Sequence, residues 1–255
     1  MSLPTSPSVV IVTGVSRGVG LAIVQELVAV GCFVLGVART AASQIPAELR
    51  SLPADRFVYV EGDCSNPELQ QQIVARVVAT WGRLDALVLN AAIIDPLERI
   101  ANVDLQLWRK VFDVNFFGVI SQIQIALPHL RQTNGRIIVL SSRGAEEAHA
   151  GVIPYCSSKV AVTMLVQGLA MEEDLVCVAV KPGHVDTEMA TKLREDGALV
   201  MNPTQHSVFK QMKKEGTILR PEAPGKAIAR LALHATKELS GLCISWNDPR
   251  ASPEQ

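Results

Sequence analysis

Two polar side chains, four residues apart, could together move a proton. Tyr155 and Lys159 lie one turn apart on a predicted helix, so they share a face of it. A phenol with a pKa of about 10 gives up its proton slowly at neutral pH, and a nearby ammonium favours the phenolate. Tyr155 can then act as general acid toward a ketone oxygen, or as base in the reverse direction. An exposed helix pair without a chemical role has the same spacing.

A hydroxyl group follows the short apolar run Arg136–Ser141, which we predict to be a strand. Open α/β folds bind ligands at the carboxyl ends of their strands, where Ser142 would lie. Its hydroxyl can hydrogen-bond a carbonyl oxygen as charge develops there. Serine after a strand is equally typical of a helix cap or a turn. The next residue, Arg143, is interpreted as a solvated charge, with an anionic substrate group as the alternative.

A glycine-rich turn over Thr13–Gly20 separates the first predicted strand from the first predicted helix. Glycines permit a tight turn and a close backbone approach to a pyrophosphate, and the helix N-terminus offers free N–H groups to an anion. The spacing differs from GxGxxG, and a purely structural turn is the alternative. The candidate cofactor-binding residues of this turn are Gly14, Ser16, Arg17, Gly18, Val19 and Gly20.

The residues after the second predicted strand indicate which dinucleotide binds. A carboxylate at this point would hold a ribose 2′-hydroxyl and repel a 2′-phosphate, but the chain has Ala38 and Arg39. Arg17 can converge on the same place, and two guanidinium groups favour a phosphate. The pair therefore predicts NADP(H), although each arginine alone is also typical of a solvated surface charge.

Short β-branched runs alternate with stretches of helical period along the chain. The predicted strands are Ser8–Val12, Phe33–Ala38, Phe57–Glu61, Leu84–Leu89, Arg136–Ser141, Val176–Val180 and Leu242–Trp246. The predicted helices follow Gly20, begin at Pro67, and cover Leu105–Leu130, Tyr155–Met171 and Glu222–Ala235. Because the strands are nearly continuous apolar runs, both faces of the sheet should be covered. We predict an α/β fold over residues 1–255, a single Rossmann-like doubly wound domain with a seven-stranded parallel sheet between two helix layers.

One long stretch, Thr187–Arg220, has no clear period and is predicted to form a flap over the site. Its apolar residues favour an apolar or aromatic ketone as substrate. They are equally consistent with the buried sides of two short helices. These residues are Met189, Leu193, Leu199, Val200, Met201 and Phe209.

Composition and charge exclude several classes of protein. The chain has 255 residues, 48% of them hydrophobic, and a net charge of −1, which does not favour nucleic acid or an anionic membrane as a partner. The five cysteines and five histidines are scattered, so they predict no metal site and a reducing compartment, the cytoplasm. Met1–Val10 lacks the features of a secretory signal, and no apolar run approaches the ~20 residues of a membrane span.

Six motifs occur in the order typical of the short-chain dehydrogenase/reductase family, which the sequence from about Val9 to Trp246 resembles. They are the glycine turn, Asp63 before Cys64, Asn115, Ser142, Tyr155 with Lys159, and Pro182-Gly183-His184-Val185-Asp186-Thr187. A further family motif is altered here to Leu89-Asn90-Ala91-Ala92, which puts its local geometry in doubt but removes no catalytic group.

The resemblance implies a role for each matching residue. The catalytic set would be Asn115, Ser142, Tyr155 and Lys159, with Lys159 on the nicotinamide ribose and Asn115 binding a water. The cofactor contacts would further include Asp63 and Cys64 on the adenine side, Asn90, Ala91 and Ala92 along the ribose side, and Pro182, Gly183, Val185 and Thr187 near the nicotinamide.

Within this family the sequence looks most like fungal benzil reductases, which are relatives of sepiapterin reductase. The resemblance implies NADPH-dependent reduction of a ketone or diketone, such as benzil. An NADP-dependent alcohol or polyol dehydrogenase working oxidatively, and a non-catalytic NADP-binding sensor, remain the alternatives. The helices around Leu105–Leu130 and Tyr155–Met171 have apolar residues on more than one face, which predicts a homodimer or homotetramer.

Overall fold

The computed structural model describes residues 7–251 and contains a seven-stranded, all-parallel sheet. Its strand order is β3-β2-β1-β4-β5-β6-β7. The strands are β1 Val9–Thr13, β2 Phe33–Ala38, β3 Phe57–Glu61, β4 Ala86–Leu89, β5 Arg136–Leu140, β6 Val176–Lys181 and β7 Cys243–Ser245. The predicted doubly wound α/β fold is confirmed. Since the order reverses between β1 and β4, the crevice that binds ligands in such sheets must open at the carboxyl ends of these two strands.

Helices cover both faces of the sheet. They are α1 Gly18–Ala29, α2 Ala47–Arg50, α3 Pro67–Trp81, α4 Leu105–Phe112, α5 Gly118–Thr133, α6 Ile153–Glu172, α7 Glu188–Glu195, α8 Pro203–Glu215 and α9 Glu222–His234. Along β1, Val10 and Val12 belong to the core shared with α1 and α9, whereas Val9 and Ile11 belong to the core shared with α3, α5 and α6. Burial on both faces explains why the strands are continuous apolar runs.

The long helix predicted over Leu105–Leu130 is interrupted. A π-helical turn, Asp113–Phe117, separates α4 from α5 and contains Asn115. Such turns often lie at functional sites because they shift the helix register locally. By length and composition alone, Leu105–Thr133 would also be long enough to cross a membrane, but core helices pass the same test. Within the fold, α5 packs against α3 and buries Ile123, Ala126 and Leu130.

The stretch without a clear period, Thr187–Arg220, folds largely as the two helices α7 and α8. Their period is weak because α7 has no buried residue and α8 buries His206 alone, so no apolar stripe marks them. The two ends of the segment lie together, because the Asp186 amide donates a hydrogen bond to the Leu219 carbonyl oxygen at 2.8 Å. Asp186 also accepts hydrogen bonds from Arg194 in α7 and Lys213 in α8. The ends of the predicted domain, residues 1–6 and 252–255, lie outside the described residues, as does most of the segment examined for a secretory signal.

Candidate active site

A cavity of ≈ 1040 Å³ opens at the carboxyl ends of the central strands. The structure brings almost all the predicted site residues to its wall. These are Gly14, Ser16, Arg17, Gly18, Val19, Gly20, Arg39, Asp63, Cys64, Asn90, Ala91, Ala92, Ser142, Tyr155, Lys159, Pro182, Gly183, Val185 and Thr187. Its size lies at the upper end of the range for small-molecule sites, so a dinucleotide and a substrate can share it.

Ser142 and Tyr155 form the polar centre of this cavity. Ser142 follows β5 and caps a short 3₁₀ turn, accepting a hydrogen bond from the Gly144 amide at 3.0 Å. Burial raises the pKa of Tyr155, and the hydrogen bond with the Ser142 hydroxyl opposes that shift only in part. The lowering that we expect from the Lys159 ammonium does not outweigh this burial, so the net pKa of Tyr155 is raised and the phenol is protonated at neutral pH.

Lys159 lies beneath the tyrosine and is 4% exposed. Its Nζ atom donates a hydrogen bond to the Leu140 carbonyl oxygen at 2.7 Å and lies 5.7 Å from the centre of the Tyr155 ring. Burial lowers the pKa of Lys159 to about 8. The side chain is thus an ammonium at neutral pH, held at the end of β5 by the backbone.

Asn115 lies behind the wall of the cavity, with 1% of its surface exposed. Its Oδ1 atom accepts a hydrogen bond from the Ile93 amide at 2.9 Å. Its Nδ2 group donates to the Ile93 carbonyl at 2.9 Å and to Ser158 Oγ at 3.0 Å. The side chain therefore ties the π-helical turn to the loop after β4 and to α6, and the structure does not bring it to the cavity wall with the other predicted residues.

The glycine turn has the shape of an anion cradle. A Cβ atom added to Gly20 would lie 2.1 Å from the Gly14 carbonyl oxygen, so only glycine allows this approach of helix to strand. Gly18 has a φ of +57° and lies under Thr187. No side chain caps α1, whereas Asn66 caps α3 and Asn202 caps α8. The first amides of α1 are left for an anion, which fits the expected pyrophosphate.

Charged groups surround the end of the groove where Arg17, Arg39 and Asp63 lie. Arg39 is exposed, and Arg17 Nε pairs with Glu188 Oε2 at 3.1 Å. Burial raises the pKa of Asp63, but hydrogen bonds from Ser65 and the charge of Arg39 outweigh that effect, so the net pKa is lowered. The Asp63 carboxylate therefore lies close enough to Arg39 to offset part of its charge.

Apolar side chains form the wall on the other side of Tyr155. Ile94, Val152 and Cys156 form a small core, against which Tyr155, Met189 and Leu193 pack. Of the apolar residues predicted in the flap, Met201 and Phe209 also line the cavity, while Leu199 is 92% exposed. Val200 packs against Gly151. The segment does contain two short helices, but none of the six residues is buried on either helix, and four of them line the cavity instead.

Two imidazoles to which the sequence assigned no role, His149 and His184, also line the cavity, next to Phe209. The Phe209 ring meets both imidazoles edge-on, with centroid distances of 6.1 Å to His149 and 5.5 Å to His184. Burial lowers the pKa of both histidines. No local pattern marks the two histidines. They and Phe209 come from three separate segments of the chain that only the fold brings together.

The sequence and the fold of this chain are similar to those of known oxidoreductases. A family model of short chain dehydrogenases matches residues 8–198. The chain is 37% identical over 244 residues to an uncharacterized oxidoreductase of Schizosaccharomyces pombe, covering 95% of this chain and 97% of that protein. It is 33% identical over 262 residues to a benzil reductase ((S)-benzoin forming) of Saccharomyces cerevisiae, covering 97% and 98%. A solved short chain dehydrogenase/reductase from S. cerevisiae has a TM-score of 0.90 and 36% identity, covering 96% and 98%.

The chain therefore belongs to the short-chain dehydrogenase/reductase family, as its motifs predicted. It is an oxidoreductase of that family, whose members use NAD(P)(H) and act on small molecules.

Proposed function

We propose that this protein is an NADPH-dependent carbonyl reductase that transfers a hydride to a ketone or diketone of the benzil type. The observation that carries the proposal is the juxtaposition of Tyr155, Ser142 and the buried Lys159 in one cavity with the uncapped N-terminus of α1. The similarity to a benzil reductase, at 33% identity over almost the whole chain, supports the diketone.

The residues present fit the dinucleotide. The glycine turn would hold its pyrophosphate, and Asp63 with Cys64 would lie at the adenine. Asn90, Ala91, Ala92, Tyr155 and Lys159 would hold the nicotinamide ribose, and Pro182, Gly183, Val185 and Thr187 the carboxamide. When bound, NADPH supplies the hydride.

The protein's own part of the reaction is to bind and protonate the substrate oxygen. Because its pKa is raised, Tyr155 keeps its proton at neutral pH and can donate it to the oxygen. Ser142 hydrogen-bonds the same oxygen as negative charge develops. The Lys159 ammonium then stabilises the phenolate left on Tyr155. Asn115 acts as a positioning residue, since it holds the π-helical turn against α6 through Ser158. A protonated phenol is the form that the reductive direction requires.

Coenzyme preference rests on Arg17 and Arg39, which flank the end of the groove where a 2′-phosphate would lie. No carboxylate occupies the end of β2, where the chain has Ala38. Asp63 and Glu188 each offset part of this positive charge, so the preference is set by a balance of four groups. We propose that the balance favours NADPH.

The same proposal extends to the flap, the assembly and the compartment. Residues 187–220 would cover the bound substrate, since both α7 and α8 contribute to the cavity wall. The protein would form a homodimer or homotetramer through α4, α5 and α6, the helices predicted over Leu105–Leu130 and Tyr155–Met171. It would work in the cytoplasm, where its five free cysteines stay reduced.

The test is an assay of ketones and diketones with NADPH and with NADH, following loss of the reduced coenzyme. We expect the wild-type protein to reduce benzil and to have a higher kcat/KM with NADPH. Tyr155→Phe should lower turnover by at least ~100-fold, the usual worth of a positioned general acid. NADPH binding, followed by quenching of protein fluorescence, should persist and serves as the folding control. Near-normal turnover in the variant would refute the mechanism.

A further inference from the structure

The part of the cavity beyond Tyr155 contains polar groups that the reaction described above does not use. The charged side chains there are paired with one another: Lys192 lies 3.2 Å from Asp95 and 2.7 Å from Asp196. Arg143 pairs with Glu147 at 2.8 Å. His149 and His184, in contrast, hydrogen-bond no group of residues 7–251 through their side chains. The two imidazoles are therefore polar side chains of this wall that lack a side-chain partner among the described residues.

The two ring nitrogens of His149 differ in their surroundings. Nδ1 is buried and has no hydrogen-bond partner within the described part of the chain. Nε2 has no hydrogen-bond partner among the described residues either, and because His149 lines the cavity, Nε2 is the nitrogen left for a ligand there. An unpaired N–H is rarer inside proteins than an unpaired acceptor, which assigns the proton of the neutral ring to Nε2. His149 thus presents an Nε2–H donor.

The backbone holds this donor near the reacting centre. His149 lies on the loop between Ser142 and Tyr155, and its carbonyl oxygen accepts a hydrogen bond from the Val152 amide at 3.3 Å, just before α6. The loop folds back on itself, because the Glu147 amide bonds the Arg143 carbonyl at 3.0 Å. Phe209 packs against the edge of the His149 ring and limits its rotation. The His149 donor, the Tyr155 acid and the Ser142 hydroxyl therefore belong to one compact segment, residues 142–155.

The donor itself is uncharged at neutral pH. Burial lowers the pKa of His149, and the Arg143 charge lowers it further, while Glu147 opposes both effects. The neighbouring His184 is likewise neutral at pH 7, since burial, Arg143 and His149 all lower its pKa. The neutral ring instead matches an uncharged oxygen, and the apolar wall formed by Val152, Met189 and Leu193 matches the hydrocarbon attached to it.

We propose that His149 is a specificity-determining residue that donates its Nε2–H to a second oxygen of the substrate, close to the reacting carbonyl. This inference rests on the proposed carbonyl reduction and narrows its substrate class to ketones with a neighbouring oxygen, as in a 1,2-diketone. A site that hydrogen-bonds a substrate oxygen discriminates against an analogue that lacks this oxygen, because the hydrogen bond is then not made.

The test compares benzil with deoxybenzoin, which has the same two phenyl rings but a methylene group in place of one carbonyl. Both are assayed with NADPH and four variants: His149→Phe, His149→Ala, His149→Gln and His149→Asn. We expect the Phe and Ala variants to lose at least ~10-fold in kcat/KM for benzil, the effect of one unmade hydrogen bond to a buried donor. Their kcat/KM for deoxybenzoin should change less than ~3-fold.

The two amide variants locate the interacting atom. A glutamine amide reaches the position of Nε2, whereas an asparagine amide reaches that of Nδ1, so we expect His149→Gln to restore the preference for benzil and His149→Asn not to. Circular dichroism and NADPH binding report on whether each variant folds. If either the Phe or the Ala variant does not fold, the other one serves as the variant without the donor.

Each outcome separates the two proposals. If wild-type protein reduces both ketones, and the Phe and Ala variants lower both rates equally, the role of His149 is refuted while carbonyl reduction stands. Restoration by Asn rather than Gln would also refute it. If wild-type protein reduces neither compound but accepts other ketones, the substrate class is wrong. If it reduces no carbonyl compound at all, the proposed function itself fails.

Discussion

At the scale of single residues, Lys159 is costly to the fold. The ammonium is almost completely buried, and its hydrogen bond to the Leu140 carbonyl does not prevent burial from lowering its pKa to about 8. Charged groups are buried in this way when a function needs them, and strongly shifted pKa values concentrate at active sites. We therefore attribute the stability lost by burying Lys159 to its proposed role beside Tyr155.

This cost predicts a pH dependence of stability. The pKa of Lys159 is about 8 in the folded state and 10.5 in the unfolded state, so the unfolded state binds more protons between these values. The destabilisation is complete below pH 8 and is relieved as the pH rises to 10.5. The Lys159→Met variant lacks this destabilisation, because methionine has no charge to bury. We expect the advantage of the variant in free energy of unfolding to shrink by about 3 kcal/mol between pH 7 and 10.5, measured with urea. An advantage that stays constant with pH would contradict this explanation.

At the scale of elements, the layer of helices that covers the glycine turn depends on close backbone contact. Helix α9 lies against α1, and a Cβ atom added to Gly225 would be 2.5 Å from Ala22 Cβ. Neither helix can move away freely, because Ile23 in α1 and Ile228 in α9 are both fully buried in the same core. The packing of α9 thereby supports the position of the α1 N-terminus.

Gly225→Ala should therefore destabilise the protein by about 1–3 kcal/mol, the usual effect of overpacking a helix contact. Gly168→Ala in α6 is the matched control, since nothing lies within 4 Å of an added Cβ atom there. That change should stabilise the protein by about 0.5–1 kcal/mol, because alanine favours helix more than glycine does. Urea unfolding of both variants measures the contrast, and equal effects would show that the α1–α9 contact is not tight.

At the scale of the whole molecule, one surface remains apolar. Phe117, Val160 and Met164 are 55%, 49% and 63% exposed, on the π-helical turn and on α6, which contact each other. Helix α6 also buries Val162, Val166 and Leu169 on the sheet, so it is apolar on two faces. A helix of this kind usually has a partner on both sides, and in the proposed assembly a second copy of the chain would be the partner on this side.

We expect the wild-type protein to sediment as a dimer or tetramer, and Met164→Glu to shift it toward the monomer by placing a charge on this surface. Leu199→Glu adds the same charge at a side chain that is 92% exposed elsewhere, and should leave the assembly unchanged. Sedimentation velocity distinguishes the species. A monomeric wild-type protein would contradict the proposed assembly.

The sequence by itself determined the order of strands and helices, the parallel sheet and the position of the glycine turn. These features depend on local period and on residue types that have few alternatives, such as Gly20 at the contact with Gly14. The spacing of Tyr155 and Lys159 is equally local, since one helical turn places them on the same face. The sequence offered the two short helices α7 and α8 only as an alternative without bounds, because helices that bury almost nothing have no apolar stripe.

Only the tertiary structure decided what surrounds those residues. It places Lys159 on the Leu140 carbonyl, moves the pKa of Tyr155 upward, and holds Asn115 behind the cavity wall. It also brings Phe209 between His149 and His184. Burial and contacts between distant segments produce all of these effects, and both depend on how whole elements pack, which no local pattern of residues encodes.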